Sequence, residues 1–231
     1  MTIALAAYPD PDALARALAA HVAEALRARA AREGAASLAV SGGRTPTRFF
    51  ETLSNAPIDW PRITVTLVDE RWVPETSERS NAALVRRHLL KNAAASARFL
   101  PLYTGAPSPE EGLAAAERAA EGLPLPFAAV VLGMGDDGHT ASFFPHAEAL
   151  PAAIDPKTSA LLAAVRAEAA GEPRITFTLP PLLAADALFL HIEGAGKRAV
   201  LEAACAEGPA EALPIRAVLR ARAPLDVLWC P

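Results

Sequence analysis

The sequence contains little cysteine: Cys205 and Cys230 are the two among 231 residues. They stand far apart and lack the short spacing of metal-binding cysteine pairs, so they predict neither a zinc site nor a disulfide framework. Two reduced thiols of a cytoplasmic protein are the interpretation that this spacing favours.

Long apolar runs are also missing. No run reaches the roughly 18 residues of a membrane span, and residues 1–9 lack the basic start and apolar stretch of a signal peptide. The sequence therefore predicts a cytoplasmic protein without a membrane partner.

There is no excess of positive charge. Lys and Arg number 22 against 26 Asp and Glu, for a net charge of -4. A general nucleic-acid binder normally presents a basic face, so nucleic acid is not an expected partner. This small net negative charge still allows a local basic pocket for a phosphate. With 52% hydrophobic residues, the chain is typical of a globular protein with a substantial core.

Apolar segments alternate with segments of helical spacing. The predicted strands are residues 37–40, 63–68, 127–132, 187–192 and 225–229. The predicted helices are residues 10–32 (capped by Asp10 or Asp12), a helix starting at Thr45–Pro46, and residues 81–90, 109–120 and 195–206. This order predicts one doubly wound α/β domain over residues 1–231, with a mostly parallel sheet and helices on both faces. Segments 161–165 and 174–179 are left open as an additional hairpin or an edge pair.

Polar, glycine-rich segments follow four of these strands, where open α/β sheets bind ligands. The first, SGGRTP at residues 41–46, has two glycines that permit a sharp turn with uncovered N–H groups. Thr45 is predicted to cap the next helix, with Pro46 at its first position. Ser41 and Thr45 could donate from their hydroxyls and Arg44 could supply charge. A phosphate site and an ordinary turn remain alternatives.

The segment DER at residues 69–71 ends another apolar strand. Three adjacent charges require partners or water, which predicts a polar crevice. Arg71 could bind an anion or stabilise an oxyanion, and Asp69 could orient a base. For Glu70 we expect a solvated start of a loop.

Residues 133–142 read GMGDDGHTAS and combine three glycines, two carboxylates and a histidine. His139 is the side chain best suited to proton transfer near neutral pH. His146 is a weaker competitor, while His21, His88 and His191 are interpreted as structural residues of helices and a strand.

Two further cations follow predicted turns. Arg174 opens the segment RIT, and Lys197 ends the segment GAGK at residues 194–197. Each is an ordinary exposed charge unless the fold brings it to the loop at residues 41–45.

Taken together, SGGRTP, DERWVP at residues 69–74, residues 133–145, RIT and GAGK resemble, in this order, the signature segments of 6-phosphogluconolactonases. The resemblance covers essentially the whole chain. It implies hydrolysis of 6-phospho-D-glucono-1,5-lactone in the oxidative pentose phosphate pathway, on a Rossmann-like fold. It implies no cofactor and no metal, since hydrolysis of a strained lactone requires neither.

The resemblance also maps the catalytic histidine onto His139 and the arginine of the DER segment onto Arg71. Our hypothesis is that His139 takes a proton from water, Arg71 stabilises the oxyanion, and Asp69 helps to orient the water or His139. Substrate binding is assigned to Ser41, Gly42, Gly43, Arg44, Thr45, Gly138, Arg174 and Lys197. The expected partner is this small phosphorylated substrate, with the protein a monomer or weak homo-oligomer.

Two alternatives remain. The first is a glucosamine-6-phosphate deaminase of the same superfamily. In those enzymes the corresponding segment is similar to DGHIAFNEP, and the Glu of that segment serves ring opening. Residues 137–145 here read DGHTASFFP, so Phe144 stands where that Glu would be and cannot transfer a proton. This favours the lactonase over the deaminase. The other alternative is a non-catalytic sugar-phosphate sensor. Such regulators carry an added DNA-binding helical region, and the segment before Ser37 is too short to form one.

Overall fold

The computed structural model describes residues 5–231. Our prediction that residues 1–9 form no signal peptide rests partly on residues 1–4, which lie outside this range. The strands are β1 (Leu5–Ala7), β2 (Ala36–Val40), β3 (Ile63–Leu67), β4 (Asp69–Arg71), β5 (Arg98–Leu100), β6 (Ala129–Leu132), β7 (Leu162–Val165), β8 (Arg174–Phe177), β9 (Ala187–Glu193) and β10 (Asp226–Cys230). The α-helices are α1 (Pro11–Glu33), α2 (Thr47–Leu53), α3 (Asn81–His88), α4 (Pro109–Ala120), α5 (Leu150–Ala153), α6 (Leu179–Leu183), α7 (Ala195–Cys205) and α8 (Ile215–Leu219). Short 3-10 helices occupy Trp60–Arg62, Asn92–Ser96 and Glu168–Ala170.

The central sheet has seven strands in the order β1-β10-β9-β6-β2-β3-β5. Every neighbouring pair is parallel. All residues of β2 and β6 are buried. Because successive side chains point to opposite faces, both faces must be covered, as the apolar runs indicate. The predicted doubly wound α/β fold is confirmed, and the predicted strands agree within two residues at each end.

A second sheet of three strands, in the order β4-β8-β7, contains most of segments 161–165 and 174–179, for which a hairpin and an edge pair are the two alternatives. β7 and β8 form an antiparallel pair, and β4 adds to it with Arg71 opposite Arg174. The hairpin is thus extended by residues 69–71, which we interpreted only as the charged end of a strand.

Side-chain caps begin α1, α3 and α4. The Asp10 carboxylate accepts a hydrogen bond from the N–H of Ala13 at 2.7 Å, and α1 ends at Gly34 with a φ of 80°. The predicted start of α2 is wrong: the helix begins at Thr47, and Pro46 takes the capping position without a side-chain hydrogen bond. Thr45 lies before it, in a turn, and is not a cap.

The strand order reverses between β2 and β6, because β3 lies on one side of β2 and β6 on the other. Ligands of open α/β sheets bind at such a switch point, outside the carboxyl ends of the strands. Residues 41–45 follow β2 and residues 133–139 follow β6, so the two most distinctive segments meet there. Within residues 5–231, no helix has the length and apolarity to cross a membrane.

Candidate active site

A cavity of about 460 Å³ opens at the switch point. It lies at the carboxyl ends of β2, β6 and β9, beside β4 and β8. The predicted site residues that line it are Ser41, Gly42, Gly43, Arg44, Thr45, Asp69, Arg71, His139, Arg174 and Lys197. Residues that are more than a hundred positions apart in sequence thus converge on one space.

Gly138 is not among the residues that line this cavity, and its assignment to substrate binding stays a prediction. It adopts a φ of 74°, and a Cβ there would lie 2.6 Å from Cδ2 of Leu213. Its carbonyl accepts a hydrogen bond from the N–H of Ile215 at 2.8 Å. Gly138 therefore shapes the loop behind His139.

The imidazole of His139 is held by Asp137 and Phe144. Nδ1 lies 2.6 Å from Oδ1 of Asp137, which also accepts the N–H of His139 at 3.1 Å. The ring of Phe144 packs against the imidazole at 4.5 Å between centroids. A Cβ on Gly135 would lie 2.1 Å from Nδ1, so the pair can form only beside a glycine. The arrangement fixes the ring and leaves Nε2 to act on a ligand.

The Asp137 carboxylate stays ionised at neutral pH. Its partial burial alone would raise its pKa, but the hydrogen bond and charge of His139 outweigh that effect and lower the pKa below its ordinary value. The residue that contacts and orients His139 is therefore Asp137, whose role the sequence did not define. The predicted role of Asp69, to orient the water or His139, stays a prediction.

Asp69 is buried and bound elsewhere. Its Oδ2 accepts a hydrogen bond from Oγ of Ser142 at 2.6 Å and lies 3.8 Å from Nη1 of Arg174. Asp69 also lines the cavity. It therefore supplies negative charge beside the arginines.

Arg71 and Arg174 are direct cross-strand partners, and both line the cavity. Their Nε atoms are buried without a hydrogen-bond partner within residues 5–231. Burial lowers the pKa of Arg174, Asp69 opposes that effect, and Arg71 adds to it. Like charges placed opposite each other are destabilising, so this pair favours an anion in the cavity.

Glu70 contradicts our expectation of a solvated loop start, since it is fully buried. Its carboxylate accepts hydrogen bonds from the N–H groups of Arg71, Asn81 and Ala82, each at 2.8 Å, and from Oγ of Ser80 at 3.1 Å. Burial raises the pKa of Glu70, and the backbone donors oppose the shift. Glu70 thus joins β4 to the first turn of α3.

The 41–45 loop is tied to β6 and also to its own helix, whose first residue, Thr47, donates from Oγ1 to the carbonyl of Arg44 at 3.1 Å. The N–H of Ser41 donates to the carbonyl of Val131 at 3.0 Å, and Oγ of Ser41 accepts from the N–H of Gly133 at 3.1 Å. Gly43 has a φ of 91° and Arg44 is exposed. On the opposite side, Nζ of Lys197 lies 2.8 Å from Oδ1 of Asp136. Loop and lysine face the same cavity, as a phosphate site requires.

Three polar lining residues were not predicted as site residues from the sequence: Asn81, His191 and Glu193. Nε2 of His191 lies 3.0 Å from Oε1 of Glu193. His191 is a strand residue, as predicted. Residues two apart in a strand share a face, so the spacing of His191 and Glu193 at the end of β9 could have indicated that both face the cavity. Within the described part of the chain, no group of three or more His, Cys, Asp or Glu could hold a metal ion.

Comparisons with known proteins agree with this geometry. The family model described as glucosamine-6-phosphate isomerases/6-phosphogluconolactonase matches residues 9–229. A 6-phosphogluconolactonase of Rhizobium meliloti is 52% identical over 225 residues, 97% of each chain. One of Mesorhizobium japonicum is 51% identical, over 97% of this chain and 94% of its own.

Solved structures give the same result. A crystal structure of a 6-phosphogluconolactonase from Shewanella baltica superposes with a TM-score of 0.96 at 39% identity, covering 100% of this chain and 98% of that one. A monomeric glucosamine-6-phosphate deaminase has a TM-score of 0.74 at 15% identity, over 99% and 97% of the two chains, and shares the fold.

Proposed function

The chain belongs to the glucosamine-6-phosphate isomerase/6-phosphogluconolactonase family, and from this premise we propose that it hydrolyses 6-phospho-D-glucono-1,5-lactone to 6-phospho-D-gluconate in the oxidative pentose phosphate pathway. The observation that carries the proposal is that His139, paired with Asp137, lines one cavity together with Arg71 and a loop suited to phosphate. That set provides a base, an oxyanion partner and a remote anchor, the three parts that ester hydrolysis needs.

His139 is the proposed general base. Because the ionised Asp137 only accepts hydrogen bonds, we assign the ring proton to Nδ1, which leaves Nε2 able to accept. Nε2 removes a proton from water as the oxygen attacks C1 of the lactone. When the intermediate collapses and the bond to the ring oxygen breaks, the same proton passes to that oxygen.

Arg71 is proposed to stabilise the negative oxygen that develops on C1. Its guanidinium is half-buried, with Nε fully buried, and this partial removal from water strengthens the interaction. Asp69 is bound to Ser142 and lies close to Arg174. Of the two roles predicted for it, orienting the water or orienting His139, we propose that it orients the attacking water.

The 41–45 loop, Arg174 and Lys197 are proposed to hold the phosphate. Their binding energy positions a ring whose reacting carbon lies at the other end of the substrate. Ser41, Gly42, Gly43, Arg44 and Thr45 contribute backbone donors, hydroxyls and one exposed charge.

Phe144 argues against deamination. It is buried between His139 and Arg174, whose guanidinium lies 5.4 Å from the ring centre. No carboxylate stands at this position to serve ring opening. We further propose that the protein works in the cytoplasm as a single domain, a monomer or weak homo-oligomer, with the sugar phosphate as its partner.

The test is turnover of freshly prepared 6-phosphogluconolactone, followed by proton release and corrected for spontaneous hydrolysis. His139→Ala should lower kcat by about 10²- to 10⁴-fold, the usual contribution of a general base. His21→Ala, on the exposed side of α1, serves as the matched control and should retain wild-type turnover. Release of ammonia from glucosamine 6-phosphate, without turnover of the lactone, would overturn the proposal.

A further inference from the structure

The side chain of Asn81 lies between Arg71 and the 41–45 loop. Its Oδ1 accepts a hydrogen bond from Nη1 of Arg71 at 2.9 Å, and its Nδ2 donates to the carbonyl of Asp69 at 2.9 Å. A Cβ on Gly42 would lie 1.8 Å from the same Oδ1. The amide therefore touches both the arginine and the backbone of the loop.

Asn81 itself has a fixed position. It is 2% exposed and is the first residue of α3, where its N–H donates to Oε1 of Glu70 at 2.8 Å. The same oxygen accepts the N–H of Arg71 at 2.8 Å. One buried carboxylate thus sets the separation of the two backbones, and the amide spans the space between their side chains.

Arg71 depends on this amide for its orientation. Among residues 5–231, both hydrogen bonds of its guanidinium are made by Nη1, one to Asn81 and one to the carbonyl of Arg79 at 2.7 Å. Arg79 lies in an exposed loop. Without the amide, only that loop would hold the guanidinium, and the arginine would no longer be held relative to Gly42.

We propose that Asn81 is a positioning residue that fixes the guanidinium of Arg71 relative to the 41–45 loop. This inference rests on the proposed function. A substrate anchored by its phosphate at the loop then presents its carbonyl to Arg71 at one distance. Displacement of Arg71 weakens transition-state stabilisation more than substrate binding, so the loss should fall on kcat.

The experiment is a double-mutant cycle with Asn81→Ala and Arg71→Ala, measured as kcat and KM for 6-phosphogluconolactone. Removing an oxyanion donor costs about 10²- to 10³-fold in kcat. We expect Asn81→Ala to cost part of this, about ten- to a hundredfold, with KM nearly unchanged. In the Arg71→Ala background the same change should cost nothing further. Asn55→Ala, at an exposed amide after α2, is the matched control.

Each outcome decides the question. A wild-type enzyme without lactone turnover would reject the proposed function itself. With wild-type turnover present, independent losses that multiply in the double variant would overturn the role of Asn81. Asn81→Ser, too short to reach Arg71, repeats the cycle if the alanine variant does not fold. Failure of both to fold would make Asn81 a structural residue and overturn the inference.

Discussion

Asp136 and Lys197 form an ion pair at the proposed phosphate site. Nζ of Lys197 lies 2.8 Å from Oδ1 of Asp136. The aspartate is 88% exposed at its side chain and the lysine 25%, so the pair is screened by water and weak. A substrate phosphate that reaches Lys197 competes with this carboxylate for the charge and the donors of the ammonium group. We therefore expect Asp136 to lower the affinity for phosphate.

We expect Asp136→Asn to lower KM for the phosphorylated lactone by about two- to fivefold, the range of an exposed pair of up to about 1 kcal/mol. The kcat should not change, because Asp137 and His139 keep their contact. Inorganic phosphate should inhibit the variant at lower concentrations than the wild type. Steady-state kinetics at constant ionic strength measure both effects.

Asp59→Asn is the matched control, because it removes the same charge from an exposed pair with Arg62 near the amino end of β3. It should leave KM at the wild-type value. An equal decrease in both variants would assign the effect to net charge, and an increase in KM for Asp136→Asn would contradict competition.

At this scale, the sequence predicted the chemistry of single residues better than their environments. His139, Arg71 and Lys197 were identified by residue type and by their positions after strands, and all three line the cavity. The prediction for Glu70 was wrong because three of its four donors come from residues 80–82, and no local sequence signal indicates that pairing. From the sequence, Asn81 could be predicted only as the start of a helix. Its side-chain partners lie in β4 of the small sheet and in the 41–45 loop, and neither contact has a local sequence signal.

At the scale of elements, one ion pair joins α4 to the small sheet. Arg166 follows β7 and contacts Glu110, in the first turn of α4, with Nε–Oε1 at 2.7 Å and Nη2–Oε2 at 2.9 Å. The hydrogen bond from Arg166 lowers the pKa of Glu110 from 4.5 to about 2. A depressed carboxylate pKa stabilises the folded state above the unfolded value, and that stability is lost as the pH falls through the folded value.

We expect Glu110→Gln to lower the free energy of unfolding by less than about 1 kcal/mol at pH 7, since both side chains are about half exposed. The difference from the wild type should persist down to about pH 4.5 and shrink steadily as the pH falls towards 2. Urea unfolding at pH 7, 4.5 and 3 measures it. Glu148→Gln, at an exposed carboxylate, is the control, and a difference that grew on acidification would refute the linkage.

The helices and strands could be predicted where the sequence pattern that defines them is local. Apolar runs identified the strands of the central sheet because buried parallel strands carry apolar side chains on both faces. The second sheet could not be assigned, because β4 has three residues, all charged, and pairs with β8 more than a hundred residues later. Thr45 has the residue type of a cap, yet the turn at residues 45–46 delays the helix to Thr47.

For the whole molecule, the decisive property is that the cavity joins both sheets. The 41–45 loop and His139 extend from the central sheet, while Arg71 and Arg174 belong to the small one. A ligand that contacts all of them bridges the two sheets, and anything that binds the folded state alone also stabilises it. Binding can therefore be read from global unfolding, without catalysis.

The product 6-phosphogluconate should stabilise the wild type by about 2.7 kcal/mol at 100 times its Kd, a rise in Tm of about 5–10 °C for a chain of this size. Gluconate, which lacks the phosphate, should give almost no rise at the same concentration. In Lys197→Ala, loss of a charge-assisted contact should weaken binding about tenfold, which removes about 1.4 kcal/mol of the stabilisation. Lys157→Ala, at an exposed lysine outside the cavity, should behave as the wild type. Scanning calorimetry against ligand concentration measures these shifts. Because the product cannot be turned over further, a rise with gluconate equal to that with its phosphate ester would show that the 41–45 loop, Arg174 and Lys197 do not hold a phosphate.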